Sequence, residues 1–168
     1  MKKILAGMAA VLALTTLAGQ AQAQVSASVG ARATVAQALT ITAVDSLLFG
    51  AAFPNTTRAI APSDAASGSF TLAGAANAEV TLTFTLPANL TFGANNLPVT
   101  FGAASAGHNT ANSRAGITAF DPTVVRTTRL EAAFGNLYVF IGGSVSPVAQ
   151  PAGDYKGSIT LATAYTGN

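Results

Sequence analysis

Between Glu79 and Leu86 the chain alternates strictly, with Val80, Leu82, Phe84 and Leu86 on one side and Thr81, Thr83 and Thr85 on the other. A period of two sets one row of side chains against a core and the other in water. A helix would scatter the same residues around its surface. Pro87 closes the run, because proline cannot donate into a ladder. The same period governs the stretch from Val25 to Ile41. Its odd positions carry Val25, Ala27, Val29, Ala31, Ala33, Val35, Leu39 and Ile41, and its even ones Ser26, Ser28, Gly30, Arg32, Thr34 and Thr40. That exceeds the roughly 3–10 residues of an ordinary strand, so either one strand bends between two sheets or two lie end to end.

Shorter strands are expected along the rest of the chain. Ser46 to Phe53 reads as a short apolar strand stopping at Pro54-Asn55, and Ala61 to Gly68 as a Pro/Ser/Asp-rich loop. Gly68 to Gly74 alternates around Phe70 and Leu72, and a connection from Gly74 to Ala78 would join it to Glu79–Leu86 as a hairpin. Leu97 to Ala103 is a further strand, Gly107 to Arg114 a polar loop, and Ile117 to Glu131 has no readable period. Leu137-Tyr138-Val139-Phe140, within Asn136 to Ile141, is apolar on both faces and predicts a central strand ended by Gly142-Gly143. Tyr155, Gly157, Ile159, Leu161, Thr163 and Tyr165 share one face of a last strand. Seven to ten short strands with turn signals between them predict an all-β fold, an antiparallel immunoglobulin-like β-sandwich. A small outer-membrane barrel is the competing all-β answer, but it needs aromatic girdles, and this chain has no Trp and three Tyr.

The N-terminus reads as an export signal. Met1-Lys2-Lys3 is positive, Ile4 to Leu17 is an apolar run, and Ala21-Gln22-Ala23 supplies the small residues of a cleavage site before Gln24. The apolar run is shorter than the ~20 residues that span a bilayer. The expected organisation is a signal peptide over 1–23, an alternating arm or first strand over 24–36, and a β-sandwich over 37–168. Cleavage would remove Lys2 and Lys3, leaving Arg32, Arg58, Arg114, Arg126, Arg129 and Lys156 balanced by Asp45, Asp64, Glu79, Asp121, Glu131 and Asp154. Such a neutral chain has no basic stripe for phosphates, so neither nucleic acid nor an anionic membrane surface is an expected partner. After signal cleavage no membrane span is expected. The absence of Cys means that an exported domain would hold together by packing alone.

Chemistry-bearing residues are scarce, and no enzyme, cofactor or metal site is expected. His108 lies in Gly107-His108-Asn109, read as a surface loop; with a Ser and Asp121 or Asp154 it could form a triad only on paper, since no Gly-x-Ser-x-Gly turn is present. The acids never cluster in an Asp-x-Asp pattern that would hold calcium. Gly68, Gly74, Gly142 and Gly143 read as turn or bulge glycines, and Asp154 as a turn cap accepting backbone N–H groups.

Five stretches carry a family resemblance: Leu39-Thr40-Ile41 with Leu48-Phe49-Gly50; Gly68-Ser69-Phe70-Thr71-Leu72-Ala73-Gly74; Leu86-Pro87; Ile141-Gly142-Gly143-Ser144-Val145; and Gly153-Asp154-Tyr155-Lys156-Gly157 running on to Tyr165. In this order they resemble the exported bacterial proteins of domain-of-unknown-function family 4402. The Phe-Gly strand end, the Gly-x-Tyr-x-Gly turn and the tyrosine near the end are more loosely similar to fimbrial and spore-coat-U-like subunits. Those subunits polymerise by lending an alternating N-terminal strand to a neighbour's open sheet, though many carry a disulfide that this chain lacks.

The family has no established activity, so the first resemblance implies an exported β-sandwich. The signal peptide, the scarcity of chemistry-bearing residues and an alternating arm longer than one strand needs lead to the expectation of an exported, non-enzymatic structural protein of a Gram-negative cell surface, a fimbria-like or coat-like subunit. Its location would be the periplasm, the cell surface or the medium. The expected assembly strand is Val25, Ala27, Val29, Ala31, Ala33 and Val35, and the expected partners are further copies or related surface subunits. The alternative is a monomeric periplasmic or secreted binding module that uses the loops Pro54–Gly68 and Ala104–Arg114.

Overall fold

The computed structural model describes residues 26–33 and 37–167. The chain divides into two compact units, Met1–Thr34 and Val35–Asn168. In the first, the described residues 26–33 are exposed and belong to no strand. The second is all-β and antiparallel, with twelve strands and no helix among the described residues.

The strands are β1 (Thr40–Asp45), β2 (Arg58–Ile60), β3 (Gly68–Ala73), β4 (Glu79–Thr85), β5 (Asn89–Phe92), β6 (Asn95–Thr100), β7 (Ala106–Asn109), β8 (Thr118–Phe120), β9 (Arg126–Arg129), β10 (Asn136–Ile141), β11 (Gly143–Val145) and β12 (Thr160–Tyr165). They form a five-stranded sheet in the order β1-β3-β10-β7-β8, a four-stranded sheet β2-β11-β6-β5 and a three-stranded sheet β12-β4-β9. These sheets are open, so the fold is sandwich-like and not a barrel. No helix of the described residues is long and apolar enough to cross a membrane.

Alternation explains which residues meet. Phe70 and Leu72 of β3, with Leu137, Val139 and Ile141 of β10, pack with Val80 and Leu82 of β4 and Leu161 of β12 in one buried cluster. Phe70 and Phe84 meet edge to face at 6.1 Å, a favoured aromatic geometry. The doubly apolar β10 does lie in the middle of its sheet, pairing with β3 on one side and β7 on the other. A second cluster, Leu97, Val99 and Val145, lines the four-stranded sheet, and Phe101 packs against both clusters.

Gly142 carries the chain from β10 into β11, and therefore from one sheet into the next. Its N–H donates to the Ser105 carbonyl at 2.7 Å, and a Cβ there would collide with the Ile60 carbonyl oxygen. The glycine is required by this close approach of backbone to backbone.

Four expectations are corrected. Glu79–Thr85 and Gly68–Ala73 are strands, but they do not pair as a hairpin, because β3 joins β1 and β10 while β4 joins β12 and β9. Ser46 to Phe53 forms no strand. The polar segment read as a loop from Gly107 begins inside β7, whose residues pair with β10 and β8. His108 lies opposite Val139, half-buried, with its ring centroid 5.8 Å from that of Phe120, rather than in an exposed loop.

Candidate functional site

Two segments flank a wide opening in the Val35–Asn168 unit. Ser46 to Thr57 leads from β1 to β2, and Ser146 to Ile159 leads from β11 to β12; neither forms a regular strand. Between them lies a cleft of about 1160 Å³ whose floor includes Phe70, Ile141, Leu97, Val99, Phe101 and Val145. Leu48, Phe49, Ala52 and Phe53 stand on one wall and Gly153 to Ile159 on the other. At one end the walls are fastened together: the Asn55 N–H donates to the Pro147 carbonyl at 2.7 Å, and the Thr57 and Ser146 hydroxyls lie 2.7 Å apart.

The walls offer backbone groups that the fold leaves open. Among the described residues, no backbone N–H from Phe49 to Phe53, nor from Gly157 to Ile159, donates to a backbone carbonyl. Lys156 and Thr91 pin the second wall to β5 through a reciprocal pair of bonds at 2.8 and 2.9 Å. Among the described residues, edge strands β1 and β12 each pair on one side only, and all six residues of β1 are exposed. Exposed sheet edges with spare donors and acceptors are where an added strand gains its main-chain bonds.

The Gly153-to-Gly157 turn is shaped by β5. A Cβ at Gly153 would run into the Phe92 ring, and one at Gly157 would lie 2.7 Å from a Leu90 methyl. The Tyr155 ring lies 5.7 Å from that of Phe92, inclined at 55°, and its hydroxyl donates to the Pro151 carbonyl at 2.9 Å. Asp154 was expected to cap this turn with backbone bonds. Instead its carboxylate pairs with Lys156 at 3.0 Å, and both side chains are largely exposed. Of the stretches that carry the family resemblance, Leu48-Phe49-Gly50, Gly68, Phe70, Pro87, Ile141, Val145 and the Gly153–Gly157 turn all place residues on this cleft.

Of the expected assembly strand, Ala27, Val29, Ala31 and Ala33 are exposed and unpaired with any strand; Val25 and Val35 lie outside the described residues. The paper triad does not come together through side-chain bonds. The His108 ring nitrogen lies 3.4 Å from the Thr128 hydroxyl, while Asp121 accepts from the Thr123 N–H and hydroxyl. Burial, with Arg126 nearby, lowers the His108 pKa below its ordinary value. Among the described residues no three His, Cys, Asp or Glu side chains gather to hold a metal ion.

One polar constellation escaped the sequence reading altogether. Arg114 donates from Nε to the Ser67 hydroxyl at 3.1 Å and from Nη2 to the Asp45 carboxylate at 2.9 Å, and its guanidinium lies 5.1 Å from the Phe140 ring centre. The buried Ser69 hydroxyl also donates to Asp45, at 2.7 Å. The bonds from Ser69 and Arg114 hold the Asp45 carboxyl below its ordinary pKa. No periodicity marks residues separated so widely in sequence, and only the shared sheet brings them together.

Comparison of the chain with protein families, with curated proteins and with solved structures finds no match.

Proposed function

We propose that this chain is an exported, immunoglobulin-like structural subunit of a bacterial surface assembly, fimbria-like or coat-like, joined to its neighbours by strand addition. The observation that carries this reading is the apolar cleft walled by two segments with open backbone groups. The occupant proposed is the alternating segment from Val25 to Val35 of a second copy. Its main chain would pair with the walls, and Val25, Ala27, Val29, Ala31, Ala33 and Val35 would lie on the apolar floor. These side chains are small, so each contact would contribute near the low end of apolar burial energies, and affinity would come from the whole row.

A charge on the apolar row tests this directly. Val29→Asp should abolish higher-order assembly in size-exclusion chromatography with light scattering while leaving the thermal unfolding transition in place, because Val29 is exposed in the unassembled chain. The starting Val29 chain should give a ladder of integer multiples. Unchanged polymer in the Val29→Asp chain, or a monomer as the only species of the starting chain, contradicts strand addition.

A further inference from the structure

Independently of assembly, we infer that the surface around Arg114 is a binding site for one ring of a neutral saccharide. A cavity of about 200 Å³ is lined there by Asp45, Ser69, Thr71, Asn112, Arg114 and Tyr138, together with Val44 and the Phe70 and Phe140 rings. Beside it Ser67 accepts from Arg114 through its hydroxyl and its carbonyl, which ties the β2–β3 connection to the β7–β8 connection.

Three properties select the ligand class. The first is neutrality: Arg114 and Asp45 are paired at 2.9 Å, so neither a free anion nor a free cation meets an unbalanced charge. The second is a dense mix of unused donors and acceptors. Among the described residues, Arg114 Nη1, Asp45 Oδ1, the Asn112 side-chain amide and the Thr71 and Tyr138 hydroxyls make no hydrogen bond. Carboxylate, guanidinium and amide together accept from and donate to adjacent hydroxyls, the pattern a pyranose presents.

The third property is rigidity. Exposed ion pairs add little stability, yet this one is held by the buried Ser67 and Ser69 and by the Phe140 ring. A polar cluster fixed in advance loses less freedom when a ligand arrives. The volume equals about six or seven waters at ~30 Å³ each, on the scale of a single sugar ring.

The test is saturation-transfer NMR on the full chain with methyl glucoside, methyl galactoside, methyl mannoside and N-acetylglucosamine, one at a time. At least one should receive saturation. Asn112→Ala and Tyr138→Phe should each weaken it about three- to tenfold, the loss expected for one hydrogen bond. Asn112 is exposed and Tyr138→Phe keeps the ring, so both variants should unfold at the starting temperature. No transfer to any of the four sugars, or transfer that both variants leave unchanged, overturns the assignment. So does transfer that Val99→Ala on the cleft floor weakens while Asn112→Ala does not.

Discussion

The Tyr165 hydroxyl occupies the space that a side chain at Gly74 would need. It accepts the Ala75 N–H at 2.7 Å and donates to the Gln37 carbonyl at 2.8 Å, so the last strand fastens both the β3–β4 connection and the chain just before β1. Tyr165→Phe removes both bonds and leaves the ring in place. The expected loss is about 1–2 kcal/mol, seen as a melting temperature lower by roughly 3–8 °C. An unchanged melting temperature would show that the clasp adds nothing.

Gly142 gives a second stability prediction. The obstacle to a Cβ there is backbone, the Ile60 carbonyl, which cannot step aside as a flexible side chain can. Gly142→Ala should therefore cost roughly 2–4 kcal/mol in denaturant unfolding. Gly30→Ala, where nothing lies within 4 Å, should cost little and serves as the control.

Acid should weaken the fold through several groups acting in one direction. The His108 pKa is lowered from 6.5 by burial, so as pH falls through 6.5 the unfolded chain takes up a proton that the folded chain still refuses. Asp45, Asp121 and Glu131 are also lowered, by hydrogen bonds from Ser69 and Arg114, from Thr123, and from the Ala133 and Phe134 N–H groups. Their contributions are present above the ordinary carboxylate range and vanish as pH falls through the lowered values. Denaturant unfolding should show less stability at about pH 5.5 than at about pH 7.5, and His108→Gln should shrink that difference. An equal difference in the His108→Gln chain would place the acid sensitivity elsewhere.

Alternation made the strongest strands legible. Thr81, Thr83 and Thr85 against Val80, Leu82 and Phe84 marked β4, and the doubly apolar Leu137–Phe140 run marked the middle of a sheet. Three of the unforeseen strands, β2, β8 and β11, have three residues each, too few to display a period. Pairing was the harder matter. Sequence neighbours Gly68–Ala73 and Glu79–Thr85 suit a hairpin locally, yet they lie in different sheets, and Phe70 and Leu72 meet Val80 and Leu82 in one buried cluster.

The polar cluster was illegible for a different reason. Asp45, Ser67, Ser69 and Arg114 are ordinary surface residues in sequence, and only the β1–β3 register, with Asp45 opposite Ser69, sets the carboxylate where Arg114 can reach it. Ser46 to Phe53 misled in the opposite direction: its apolar side chains line a cleft wall without entering a ladder. A segment rich in Leu and Phe looks like a buried strand whether its backbone is paired or left open.

Strand addition between copies is tested most directly by a covalent trap. The chain has no Cys, so Val29→Cys in one tagged chain and Leu48→Cys in another introduce the only thiols. Leu48 is exposed on the cleft wall, where a sulfur can be reached. Mixed under oxidising conditions, the two chains should form a disulfide-linked heterodimer in preference to either homodimer, and an added Val35→Asp on the arm should abolish it. A random mixture of crosslinks, or a heterodimer that survives Val35→Asp, would contradict insertion of the arm into the cleft.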